Sequence, residues 1–186
     1  LETALYGLGV KAGDEIIMPS FTIISCALAV LRLGAKPVLV DIEPDTWNMD
    51  IGQVEKKITA KTKAVMPVHI YGHPVDMDPL KKLAEKYKFY IIEDAAEVHG
   101  AEYKKKKCGA LGDISSFSFY ANKIINTGEG GMVLCDSDNF AERCRSYRNL
   151  CFKPERRFWH TELGYNFRMT NLQAAIGFAQ LEKIEE

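Results

Sequence analysis

This sequence lacks a long hydrophobic run. Its apolar stretches are short and interrupted, as at residues 27–31, where Arg32 follows at once. None approaches the ~20 residues of a membrane-spanning helix. An excess of charge is missing too: 24 Lys and Arg stand against 25 Asp and Glu, a formal net charge of −1. Without a basic surplus there is no surface for neutralising a phosphate backbone, which argues against a dedicated nucleic-acid binder. The five cysteines (Cys26, Cys108, Cys135, Cys144, Cys151) are odd in number, scattered and without a CxxC pair. Neither a zinc ribbon nor a thioredoxin site is indicated, and a reduced, cytoplasmic setting is the simplest account. No basic segment of a signal peptide stands at the start, which is Leu1 rather than Met. Residues 1–8 read as the tail of a helix closed by Gly9, and residues 172–186 as a helix cut short. The sequence is therefore expected to be the middle of a longer protein. Phosphate-binding and hydrolase signatures are absent as well: no GxGxxG, GxxxxGK[ST] or GxSxG occurs.

What is present suits one soluble globular domain, or part of one. Of 186 residues 47% are hydrophobic and 26% charged, and a chain this size buries roughly 70% of its unfolded surface. Apolar runs at 15–18, 37–41, 64–70, 89–93, 115–120 and 131–135 read as strands. Several are apolar on both faces, as expected of a sheet covered on both sides by helices. Helical stripes lie between them. Asp50 with Gln53 makes a plausible capping pair. Asp78 before Pro79 places a cap ahead of a first-turn proline, followed by the stripe Leu80, Leu83, Ala84 and Tyr87. Asp138 starts a helix through Tyr147, and Thr170 with Gln173 repeats the capping-box pattern. Alternating strands and helices imply a mainly parallel sheet with right-handed crossovers. The charge run at residues 104–107 reads as a solvated hairpin tip, with phosphate binding as the alternative.

Ligand chemistry in such folds gathers at the carboxyl ends of the strands. There, an apolar strand ends in Glu93-Asp94, and a carboxylate under a sheet is costly unless it meets a cation. A protonated ring nitrogen of a cofactor would supply one; a helix cap or a buried ion pair is the alternative. A second stretch carries Ser118 and then Lys123 into a loop flanked by Gly128, Gly130 and Gly131. Partial desolvation would make that amine a nucleophile toward carbonyls, and the Ser118 hydroxyl could bind a phosphate beside it. Otherwise Lys123 is a solvated lysine at a strand end. His69 and His73 with Asp76 and Asp78 invite a metal reading, but the spacing straddles a turn rather than a helix. Phe158, Trp159, Tyr165 and Phe167 read as packing aromatics, with Arg156, Arg157 and Arg168 leaving a role toward an anionic ligand open.

Seven segments then carry a resemblance: 13–22 (GDEIIMPSFT), 34–38 (GAKPV), 67–72 (PVHIYG), 93–97 (EDAAE), 117–119 (FSF), 128–131 (GEGG) and 164–170 (GYNFRMT). In this order they resemble the DegT/StrS family of pyridoxal-phosphate sugar aminotransferases. The resemblance implies a three-layer α/β/α fold with a mainly parallel mixed sheet. Residues 1–186 would be the large domain of an aminotransferase of fold type I, truncated at both ends, with the C-terminal small domain absent. It implies pyridoxal 5′-phosphate as cofactor, with Lys123 as the Schiff-base lysine and proton shuttle. Asp94 would pair with the pyridinium nitrogen, Glu97 would face the ring's phenolic side, and Ser118 would bind the phosphate. Asn166 would reach the cofactor of a neighbouring subunit, implying a homodimer with shared active sites, and His160 would stand near the substrate. The implied reaction moves an amino group from glutamate to a keto group of a nucleotide-linked deoxy sugar, and Glu97 with the 156–166 segment looks closest to perosamine-synthase-like members. A branch of the family with His in place of the lysine dehydrates its sugar instead. A catalytically incomplete relative that keeps the fold and binds a partner is the further alternative. Ile23 departs from the family, standing where relatives often stack an aromatic on the cofactor ring.

Overall fold

Period-two alternation within the apolar runs decides the architecture. The computed structural model describes residues 1–153 and 155–184. Among the described residues ten strands form, in chain order: β1 (Glu15–Pro19), β2 (Lys36–Val40), β3 (Thr62–Val65), β4 (Tyr90–Asp94), β5 (Glu102–Tyr103), β6 (Lys106–Lys107), β7 (Ile114–Ser118), β8 (Gly131–Cys135), β9 (Phe152–Lys153) and β10 (Arg156–His160). The helices are α1 (Glu2–Gly7), α2 (Ser25–Arg32), α3 (Ile51–Lys57), α4 (Met77–Tyr87), α5 (Asp138–Tyr147) and α6 (Asn171–Leu181), with a 3₁₀ turn at Ile70–Gly72. Six strands make one sheet in the order β2-β1-β3-β4-β7-β8. Its pairings are parallel except β7 with β8, which is antiparallel. The expected mixed, mainly parallel sheet is thus what forms.

Successive strand residues face opposite sides. Ile16, Met18, Ala64, Met66, Ile92 and Ile114 pack with Leu5 of α1, Cys26 and Val30 of α2 and Cys144 of α5. Their neighbours Ile17, Val65 and Ile91 pack with Val54 of α3 and Met77 and Leu80 of α4. Two buried clusters, one on each face, make three layers.

Several boundaries differ from the sequence reading. β3 stops at Val65, not at 70: Pro67 has no N–H for the ladder, and the Ile70 N–H is captured by the Asn48 side chain at 3.2 Å. β7 stops at Ser118 rather than 120, because Phe119 and Tyr120 turn back, with the Tyr120 N–H donating to Ser118 Oγ at 3.2 Å. The N-cap of α4 is Asp76, not Asp78, and its side chain makes no cap bond. It accepts the Tyr103 hydroxyl instead, while Asp78 pairs with Lys104; Pro79 is harmless in a first turn whose N–H groups are unpaired anyway. α6 ends at Leu181, and residues 185–186 of the expected helix lie outside the described residues. The Asp50–Gln53 pair and the Thr170–Gln173 capping box both form. Residues 104–107 are a hairpin tip, with Lys104 and Lys105 at φ 50° and 68° between β5 and β6.

Candidate active site

Alternation along β4 sends its two terminal acids to opposite faces. Glu93 follows the Ile91 side and meets a complete set of donors. His69 Nε2 lies 3.1 Å from its carboxylate, and the N–H groups of Gly109, Leu111 and Gly112 donate to it at 2.8, 2.6 and 2.6 Å. The Val75 N–H donates to His69 Nδ1 at 3.1 Å, so the imidazole proton sits on Nε2 and points at Glu93. Burial pushes the Glu93 carboxyl pKa up, but the bonds from His69, Gly109 and Gly112 outweigh it and hold the pKa below the ordinary value. Glu93 is a structural pin for the 109–112 turn.

Asp94 follows the Ile92 side, toward α2. It is 3% exposed and has two donors among the described residues: the Ala96 N–H at 3.1 Å on one oxygen and the Cys26 thiol at 3.2 Å on the other. A carboxylate offers about four acceptor positions, so Asp94 has hydrogen-bonding capacity left over, and the cation whose charge it feels is the buried Leu1 ammonium, which lines the same cleft. Register then brings β7 alongside. Asp94 pairs with Ser116, so Ser118, two residues on, shares its side of the sheet. The Ser118 hydroxyl accepts the Tyr120 N–H, and among the described residues its own O–H has no acceptor.

Beyond β7 the chain turns through residues 119–130, with the Phe119 N–H on Gly130 O and the Thr127 N–H on Phe119 O, both 2.9 Å. This loop returns Lys123 over the end of β4. Its Nζ stands 3.3 Å from Glu97 Oε1, and the lysine side chain is 17% exposed. Glu97 also accepts the Tyr71 N–H at 2.7 Å. Asp94, Glu97, Ser118 and Lys123 all line one open cleft of about 1400 Å³, together with Ile23 and Arg168. His99 stacks between Phe117 and Phe119 at 5.6 and 5.8 Å. Burial, then the charge of Lys123, lowers its pKa against the opposing Ser118 backbone bond, so the ring adds no positive charge beside the amine at neutral pH.

Asn166 and His160 are not lining residues of this cleft. Asn166 is exposed and accepts the Arg168 Nε–H at 3.0 Å; His160 is exposed on β10, with Nδ1 2.6 Å from Leu150 O. Arg156 and Arg157 lie over Trp159 and Phe158. His69, of the suspected metal set, is committed to Glu93, and among the described residues no group of three or more His, Cys, Asp and Glu is arranged for a metal. Sequence reasoning missed Cys26 and the Tyr71 N–H. The four-residue spacing Thr22 to Cys26 opening a helix above β4 was the available signal for Cys26; a backbone donor such as that of Tyr71 leaves none.

Comparison with known proteins places this geometry. The chain is 50% identical over 186 residues to GDP-perosamine synthase of Caulobacter vibrioides, covering 100% of this chain and 50% of that protein. Among solved structures, Streptomyces venezuelae DesV in complex with a ketimine intermediate superposes with a TM-score of 0.93 at 42% identity, over 99% of this chain and 49% of that one. A Bacillus subtilis protein, ntda with bound cofactor PMP, gives 0.91 at 34% identity over 97% and 41%. The chain spans about half the length of the curated relatives it matches. Residues 1–186 match the family throughout, and the chain belongs to the DegT/DnrJ/EryC1/StrS aminotransferase family.

Proposed function

We propose that this chain is the cofactor-binding large domain of a pyridoxal-phosphate sugar aminotransferase. It transfers the amino group of glutamate to a keto group of a nucleotide-linked deoxy sugar, a 4-keto-6-deoxyhexose by likeness to the perosamine synthases. The carrying observation is the under-satisfied carboxylate of Asp94 sharing a cleft with the Lys123 amine.

The residues present fit pyridoxal phosphate. Asp94 offers buried negative charge to a ring nitrogen, Ser118 a free hydroxyl to a phosphate, and Lys123 a primary amine to an aldehyde. When bound, the cofactor supplies that aldehyde and a protonated ring able to accept an electron pair from carbon. Asp94 would hold a ring nitrogen in its protonated form, because a buried carboxylate favours a cation beside it. Lys123 would be the nucleophile toward that aldehyde, and its amine would move a proton at the reacting carbon. Glu97, fixed by the Tyr71 N–H, holds that amine at the mouth of the cleft. Asn166, outside this cleft, is assigned to the site of a second copy in a homodimer, and His160 to the substrate side. The reaction's soluble substrates suit a cytoplasmic enzyme.

The test is a half-reaction. Loaded with pyridoxal phosphate, the protein is expected to convert its cofactor to the pyridoxamine form when L-glutamate is added without sugar, read by absorbance. Cofactor bound but unchanged by glutamate, with water released from a keto sugar precursor, would establish a dehydratase instead.

A further inference from the structure

Cys26 is fully buried on α2, and the chemistry above does not use it. Its thiol lies 3.2 Å from Asp94 Oδ2 and 3.3 Å from Thr22 Oγ1. Burial and the neighbouring Asp94 charge push the thiol up to about 12, so it stays an S–H donor at neutral pH. Its single proton goes to Asp94, which leaves the Thr22 hydroxyl to donate to sulfur. A chain of donors thus runs from the half-buried strand-end loop, Thr22 to Cys26 to Asp94.

We propose that Cys26 is a positioning residue for the cofactor's ring nitrogen: with the Ala96 N–H on Oδ1, its thiol on Oδ2 fixes the plane of the Asp94 carboxylate so that the remaining lone pairs face the cleft. This rests on the assignment of Asp94 to that nitrogen. Two donors on different oxygens stop rotation of the carboxylate, and a preorganised group binds better than a free one. A thiol is a weak donor. It therefore orients Asp94 while withdrawing less charge than a hydroxyl would, and the charge left over serves the ring nitrogen.

The experiment compares Cys26→Val and Cys26→Ala, which remove the donor, with Cys26→Ser, which replaces it. Pyridoxal phosphate affinity is measured by absorbance titration, and the pH profile of the bound cofactor's spectrum is recorded. Both donor-less variants are expected to bind on the order of 3–10-fold more weakly and to shift the midpoint of that profile. Serine is expected to restore affinity. A packing role predicts the reverse order, valine tolerated and serine impaired, and that result would overturn the proposal. In the cofactor-free protein, the infrared S–H stretch of Cys26 is expected to move on Asp94→Asn; a band that stays put contradicts the contact itself. Wild-type protein that takes up no pyridoxal phosphate contradicts the proposed function rather than the thiol contact.

Discussion

Glu93 and Asp94 are adjacent in sequence and opposite in fate, and the difference lies in how many donors each meets. Glu93 takes four and holds a turn; Asp94 takes two and faces a cleft. Glu93→Gln puts an amide where backbone N–H groups already point. It is expected to cost about 2–4 kcal/mol in urea unfolding. The pH dependence follows from the same bonds. The folded pKa of Glu93 is lowered, so its contribution is fully present above the unfolded glutamate pKa of roughly 4.3. It is lost as pH falls through the folded value. Wild-type stability is expected to drop along that acid limb, and the Gln variant to show a shallower one; parallel limbs would contradict the role given to Glu93. Of the site, Asp94, Ser118 and Lys123 were legible because each breaks a pattern: an acid closing an apolar strand, a hydroxyl and an amine following one. The thiol of Cys26 was missed despite the Thr22 spacing, since cysteine on a buried helix face reads as a small apolar residue.

Elements were legible where periodicity was long. The continuous apolar runs of β1 and β4, buried on both faces, and the stripe of α4 follow the sequence reading closely, because burial against a layer overrides weaker preferences. Ends were lost where a side chain from elsewhere intervenes: Asn48 takes the Ile70 N–H, and Tyr103 donates its hydroxyl to the Asp76 carboxylate while accepting the Asp78 N–H at 3.3 Å. The start of α6 is the opposite case, decided locally. Thr170 accepts the Gln173 N–H at 3.2 Å, and Gln173 answers on the Thr170 N–H at 2.9 Å. None of the described α6 residues is buried, so the cap bears an unusual share of the helix's stability. Thr170→Ala is expected to cost about 1 kcal/mol, seen as roughly fivefold faster hydrogen exchange confined to α6; unchanged exchange there would show the helix held by something other than its cap.

At the scale of the molecule, apolar surface is distributed unevenly. Leu172, Ile176, Phe178 and Leu181 of α6 are 52–81% exposed, and Ile24, Leu28 and Leu31 on and beside α2 are exposed as well. A helix apolar all round is one that is covered in use, and the proposed homodimer would cover it. Sedimentation is expected to show association that rises with concentration and weakens in Phe178→Asp; monomers at every concentration would argue against the shared site given to Asn166.

Borohydride reduction reads directly whether the Lys123 amine meets the cofactor. Protein incubated with pyridoxal phosphate, reduced and digested is expected to carry the added mass on the peptide containing Lys123, with none in Lys123→Arg. Label on a different lysine, or an unlabelled digest, would contradict the assignment.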